Sequence, residues 1–266
     1  MASASIARAD LSATLRLATR AAGILLTLMV ALPLNGLWRL ARRPSPWPRW
    51  FLGAVARVAG ARVRSIGQPL RRDVVILANH QSWLDILTLA GASGTAFVAK
   101  GELADVPVVG WLCSLHRTVF VARGERLGVA DQVATLRAAL GQGEPVALFP
   151  EGTTGDGTRL LPFKPALLAA LDPPPPGLRV QPVLIDYGAA ASELAWPDAE
   201  GGLDNVRRIL SRADGFDVTL TWLDPFDPAA AGGRKAIAAE ARARLEAAMI
   251  ADNWRTTAQP ATAAPL

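Results

Sequence analysis

Cysteine and histidine are scarce in this chain: Cys113 stands alone, and His80 and His116 are the two histidines among 266 residues. One cysteine cannot close an intramolecular disulfide, so nothing points to an oxidising compartment. So few Cys and His also argue against a zinc site built from those ligands. Acidic residues are nearly missing from the first quarter, where residues 1–72 hold twelve arginines against Asp10 alone, a local balance of +11. The rest is mildly acidic, although the whole chain carries +5. A nucleic-acid binder more often spreads its charge over a folded surface beside aromatic readers. Here the charge brackets an apolar segment, which suits anionic lipid head groups. At 51% hydrophobic residues the chain is apolar for a soluble enzyme and too polar for a polytopic membrane protein. Its length fits one sizeable α/β domain with an appendage.

The stretch Ala21–Trp38 carries no charge, with Arg16 and Arg20 before it and Arg39, Arg42 and Arg43 after it. A full membrane span takes about 20 apolar residues, so this run is marginal, and Pro33 would kink it. No small-residue cleavage site follows, which weighs against a signal peptide. The flanks favour a helix lying in or dipping into one leaflet over a true span. If it does span, the larger arginine count on its C-terminal side puts the main domain in the cytoplasm. After the break at Pro44–Pro48, Arg49–Val63 reads as a second helix, and Trp38, Trp47 and Trp50 cluster around the joint, as at a membrane interface. A plain helical hairpin packed on the domain is the competing reading.

From Asp73 short apolar runs alternate with helical stretches. Strands are predicted at Val74–Ala78, Thr95–Ala99, Val119–Ala122, Val146–Phe149, Val180–Ile185 and Val218–Trp222, with helices over Trp83–Leu89, Arg126–Leu140 and Ala236–Met249. The fold class is α/β: a mostly parallel or mixed central sheet flanked by helices, preceded by an N-terminal membrane-docking helical hairpin. The expected divisions are residues 1–63 for the hairpin, 64–250 for the α/β domain and 251–266 for a disordered tail. Asp172–Gly177, with four consecutive prolines, reads as an extended surface loop.

Two motifs lie at strand ends, where open α/β sheets place reactive groups. The first is Asn79–Asp85, NHQSWLD. Asp85, inside the first helical turns, can fold back onto the His80 ring, fix its tautomer and support the imidazolium formed when the other nitrogen takes a proton. That is what a general base acting on an alcohol requires. A capped helix start with a structural histidine remains open. The second motif is Phe149–Gly155, FPEGTTG, whose turn offers backbone N–H groups to an anion. Glu151 either orients a substrate hydroxyl or holds the loop. His116, beside Arg117, reads as structural, and Cys113 as a small core residue.

Taken together, the two motifs resemble those of the glycerolipid acyltransferase family, which includes the 1-acylglycerol-3-phosphate acyltransferases. Three further blocks agree in order and spacing: Phe97–Leu103 followed by Pro107 and Gly110, Phe120–Arg123, and Gln181–Ile185. The resemblance covers roughly residues 60–225 and implies a membrane-associated enzyme moving an acyl group from a thioester to a lysolipid hydroxyl. His80 and Asp85 would be catalytic, Arg123 and Lys100 would meet phosphate, and Glu151, Gly152 and Thr153 would shape the acceptor pocket. The donor would be acyl-CoA or acyl carrier protein, with no metal or redox cofactor. The partners would be membrane lipids and a lysophospholipid, with no nucleic acid, and the location the cytoplasmic face of the inner or plasma membrane.

The chain departs from the family pattern twice. Ala122 replaces an aspartate, and Thr154 replaces an arginine that would help hold phosphate. Arg159 or Lys164 could stand in for it. The leading acceptor is 1-acylglycerol-3-phosphate, but EGTTGDG followed by LPFK looks closer to members acylating lyso-ornithine lipid or other lysophospholipids. A lipid hydrolase using Ser82 as nucleophile is a third reading, and a non-catalytic membrane-binding protein a fourth.

Overall fold

The computed structural model describes residues 2–106, 109–121, 129–197 and 199–258. Helices α1 (Ala2–Leu40) and α2 (Trp47–Val58) form an N-terminal hairpin, followed by β1 (Ala61–Ile66) and β2 (Val74–Ala78). Then come α3 (Leu84–Ser93), β3 (Ala96–Lys100), α4 (Val109–Leu115), β4 (Val119–Val121), α5 (Val129–Leu140) and β5 (Val146–Leu148). A long loop leads to β6 (Arg179–Asp186), α6 (Ala191–Leu194), α7 (Gly202–Leu210), β7 (Phe216–Trp222), α8 (Pro228–Ala231) and α9 (Arg234–Ala258).

The seven strands form one sheet in the order β1-β7-β6-β2-β5-β3-β4. Strands β6, β2, β5, β3 and β4 run parallel, β7 is antiparallel to β6, and β1 is parallel to β7. The sheet is therefore mixed, with a parallel core. Strand β2, an unbroken apolar run, sits at its centre with every residue buried. That is the signature of a strand covered on both faces. Its side chains alternate: Val74, Ile76 and Ala78 join the core that contains Val55, Leu84 and Ile209, whereas Val75 and Leu77 join Leu136, Leu168 and Ile237.

The hairpin docks on the first of these faces. Arg49 donates to Gly91 O and Ala92 O (3.1 and 2.7 Å), supplying the last carbonyls of α3 with a cation. Arg20 donates to Ile209 O, Leu210 O and Arg212 O at the end of α7, and Arg16 to Ser211 O. Between α2 and α3 the backbones nearly touch at Gly53 and Gly91, where a Cβ on Gly91 would lie 2.6 Å from Gly53 Cα. The opposite side of α1 is bare: Leu11, Leu15, Leu25, Leu26, Met29 and Leu37 are each more than half exposed.

Three expectations change. The second helix stops at Val58 because Gly60 turns the chain at φ +108°, and residues 61–63 open β1 instead. The sheet thus begins before the expected boundary at residue 63. Strand β1 escaped notice because it is an edge strand, with Arg62 and Arg64 exposed and Val63 40% exposed, so it lacks an apolar period. Finally, α9 continues to Ala258, so the tail expected to be disordered from residue 251 is helical for eight more residues; 259–266 lie outside the described residues.

Candidate active site

The site is assembled where β2 leaves the sheet. The Asn79 carboxamide pairs with the main chain of Ile185, donating to its O (2.9 Å) and accepting from its N (2.8 Å), so a side chain prolongs the β2–β6 ladder by one step. His80 follows with its backbone held on both sides. Its N–H donates to Glu151 Oε1 (2.8 Å), and its carbonyl accepts from Gly155 N (2.8 Å). The His80 ring stacks on Phe149, with centroids 4.0 Å apart and planes 13° from parallel.

His80 Nδ1 lies 2.8 Å from Asp85 Oδ2. Asp85 is fully buried in the first turn of α3, and the same oxygen accepts from Gln81 N (2.7 Å) and Ser82 N (2.9 Å). Its other oxygen accepts from the Tyr187 hydroxyl at 2.6 Å. A buried carboxylate is tolerated when such donors replace its water. The carboxylate requires a donor at Nδ1, so Nε2 carries the lone pair. The His80 side chain is 17% exposed, and Nε2 has no hydrogen bond among the described residues, which equips it to take a proton from a bound alcohol.

Glu151 meets this pair from behind. It is 2% exposed, and both its oxygens are committed to main chain: Oε1 to His80 N and Oε2 to Leu161 N (2.7 Å). Burial pushes its carboxyl up, and the two N–H groups offset only part of that rise. Of the two roles considered for Glu151, holding the loop is the one its contacts perform. The turn also uses its own N–H groups internally, Gly152 N on Phe149 O and Gly155 N on His80 O, so neither serves an external anion. Gly152 has φ +72°, and a Cβ there would lie 3.0 Å from Lys164 Nζ. Lys164 therefore puts a cation over the turn. Arg159 instead lines a groove of about 700 Å³ between residues 158–162 and α9, with Arg242 and Met249. The Thr154 hydroxyl, where the family pattern has arginine, donates to Trp196 O. Thr154 thus serves as a tether, and of the two cations considered in its place Lys164 lies against the turn whereas Arg159 lies in the groove. Lys100 closes β3; Ala122 and Arg123 lie outside the described residues.

Comparison with known proteins identifies the family. The Acyltransferase family pattern matches residues 61–186, from β1 to the end of β6. A lyso-ornithine lipid O-acyltransferase of Rhodobacter capsulatus is 33% identical over 252 residues, 88% of this chain and 90% of that one. This chain belongs to the acyltransferase family. A 1-acyl-sn-glycerol-3-phosphate acyltransferase of Neisseria gonorrhoeae is 36% identical over 115 residues, 43% of this chain and 44% of that protein. The fold is shared with the crystal structure of a 1-acyl-sn-glycerophosphate acyltransferase of Thermotoga maritima, at TM-score 0.65 and 22% identity over 91% of this chain and 95% of that one.

In the acyltransferase, the other candidate groups are removed from the chemistry. Ser82 is fully buried, and its hydroxyl has no partner among the described residues, so it is not presented to a substrate as a hydrolase nucleophile would be. His116 is buried with Nε2 2.9 Å from Thr95 O, and burial, with a smaller contribution from Arg117, holds its pKa down at about 4. It is structural as expected, although burial outweighs the neighbouring charge. Burial likewise pushes the Cys113 thiol up, away from nucleophilic use. Sequence reasoning missed Tyr187 and the Asn79 bridge. A hint was present, since the sole tyrosine of the chain stands directly after an apolar strand.

Proposed function

We propose that the enzyme transfers an acyl group from a thioester to the hydroxyl of lyso-ornithine lipid, with His80 as general base and Asp85 as its partner. The observation that carries this is the His80 Nδ1–Asp85 contact of 2.8 Å, which leaves Nε2 as the free basic nitrogen. Nε2 takes the proton of the acceptor hydroxyl as its oxygen attacks the thioester carbonyl. The tetrahedral adduct then collapses with cleavage of the C–S bond, and the imidazolium returns the proton to the departing thiolate. No covalent enzyme intermediate and no metal enter this scheme. The donor is acyl-CoA or acyl carrier protein.

The choice of acceptor reverses the order reached from sequence alone. The resemblance that spans nearly the whole chain is to a lyso-ornithine lipid enzyme, whereas the glycerophosphate enzyme of Neisseria gonorrhoeae matches less than half of it. The loop chemistry supports the same order. An amino-acid head group offers one carboxylate and one ammonium in place of a phosphate dianion. A turn with Thr154 tethered and Lys164 above it suits the smaller anionic charge. An exchanged ion pair is worth about 1.5–3 kcal/mol, enough to rank acceptors by tenfold or more.

The enzyme is membrane-associated, and we propose that it docks in the plane of the cytoplasmic leaflet. Helix α1 is long and apolar enough to cross a bilayer. Yet Arg16 and Arg20 bind it to the end of α7, and Leu17 and Ile24 pack on the core, so one side is already occupied by the domain. The bare leucine side and Trp50 (63% exposed) suit the interface.

An acceptor panel tests the proposal. Purified enzyme with an acyl thioester should acylate lyso-ornithine lipid at least about tenfold more efficiently than 1-acylglycerol-3-phosphate. The opposite ranking would restore the glycerophosphate reading, and no thiol release with either would refute both.

A further inference from the structure

The two edges of the Asp85 carboxylate are held unequally. Oδ2 accepts from three donors, His80 Nδ1, Gln81 N and Ser82 N, all within the motif itself. Oδ1 accepts from one, the Tyr187 hydroxyl, which arrives from the end of β6, 102 residues away. Tyr187 is 2% exposed and packs against Phe216, with ring centroids 6.1 Å apart. A buried phenol has to find an acceptor, but a structural one would serve, such as a backbone carbonyl. Here the acceptor is the carboxylate that touches the reacting histidine.

We propose that Tyr187 is a positioning residue for acyl transfer, acting on His80 through Asp85. It has two effects. Its hydrogen bond fixes the plane of the carboxylate, because rotation about Cβ–Cγ would break the Tyr187 contact as it swung Oδ2 away from Nδ1. It also draws negative charge toward Oδ1, which moderates how strongly Asp85 favours the imidazolium. A base must be free to take a proton when the substrate arrives, so the Tyr187 bond limits how much of the carboxylate's charge is spent on the imidazole beforehand. Two ionisable groups interact with the pair: Glu151, from the loop after β5, and Tyr187 itself. Glu151 is coupled by charge to both His80 and Asp85. Burial and the adjoining carboxylate push the ionisation of Tyr187 far up, so it remains a donor throughout the working range.

This inference rests on His80 acting as the base. Tyr187→Phe removes the hydroxyl and keeps the ring. The expected result is a fall in kcat of about tenfold with KM for both substrates changed less than about twofold, since one charge-assisted hydrogen bond is lost away from the substrates. The acidic limb of kcat/KM against pH should move up by about half a unit to one unit. Because the chain has a single tyrosine, biosynthetic replacement with fluorotyrosine alters this position alone. Its more acidic phenol should move the same limb down. In an Asp85→Asn background, Tyr187→Phe should change the remaining rate by less than about twofold. Limbs that stay in place, or that shift in the same direction for both replacements, would overturn the proposal, as would an undiminished effect beside Asp85→Asn. If Tyr187→Phe does not fold, the fluorotyrosine shift alone decides. If His80→Gln retained activity, the general-base reading would fall. If His80→Gln were inactive while both limbs stayed put, the role of Tyr187 alone would fall.

Discussion

The two histidines of this enzyme sit in neighbouring regions and have opposite fates. A row of rings connects them: His80 stacks on Phe149, Phe149 on Phe97, and Phe97 lies 6.3 Å from His116. His80 has a carboxylate on one nitrogen and an opening at the other. His116 has a backbone carbonyl on one nitrogen and lies buried, and it is held neutral with a pKa of about 4. The two side chains differ in whether a buried carboxylate shares the ring and in how far the ring is exposed, and the proposed role of His80 as base rests on that difference. Neither difference lies in the imidazole; both come from what the fold brings to it.

Three substitutions can break or sharpen this contrast, from the largest effect to the smallest. Asp85→Asn keeps the shape but replaces an acceptor facing four donors with an amide. Turnover should fall about 10³- to 10⁴-fold, as when a histidine loses the partner that fixes its tautomer. Steady-state acyl transfer measures it, and a fall below tenfold would mean that the carboxylate is not what distinguishes His80. Glu151→Gln leaves one of two main-chain N–H groups facing another donor. It should lower kcat by about 10- to 100-fold through misplacement of the ring, with a drop of a few degrees in melting temperature. If KM alone rose, Glu151 would be touching the acceptor after all.

His116→Gln should leave kcat within about twofold, because the residue is remote from the reacting atoms. Its signature is in acid stability. The folded pKa of about 4 is below the ordinary 6.5, so the stability that His116 contributes is whole above pH 6.5. It is lost as pH falls toward 4, where the unfolded chain binds the proton and the folded chain does not. The loss amounts to about 3 kcal/mol. Denaturant unfolding at pH 7 and pH 4.5 should therefore show a smaller difference in the variant than in the parent, and an equal difference would contradict the buried-neutral description.

The His80–Asp85 contact was readable in the sequence because its information is local. A strand end, a histidine and a carboxylate five positions on define a geometry that a helix start can close. The parallel core was readable for a similar reason, since β2 is an unbroken apolar run. What escaped depends on distant partners. The Asn79–Ile185 bridge and the Tyr187–Asp85 bond join residues 106 and 102 positions apart, and no period or motif reports such a meeting. Glu151 was visible as a carboxylate beside a glycine turn, but only the folded loop reveals that Leu161 and His80 supply its donors. The choice between Lys164 and Arg159 could not be made from order along the chain. Both follow the turn closely, and the loop carries one back over Gly152 and the other toward α9. Strand β1 was hidden because an edge strand bearing Arg62 and Arg64 has no need of an apolar face.

The most direct measurement is thiol release coupled to acylated lipid by His80→Gln, run at saturating donor and acceptor beside the parent enzyme and beside His116→Gln. Removal of the base should lower the rate at least about 10³-fold while the melting temperature and vesicle binding stay near those of the parent. A His80→Gln enzyme that still turned over within tenfold of the parent would show that the proton leaves the acceptor by another route.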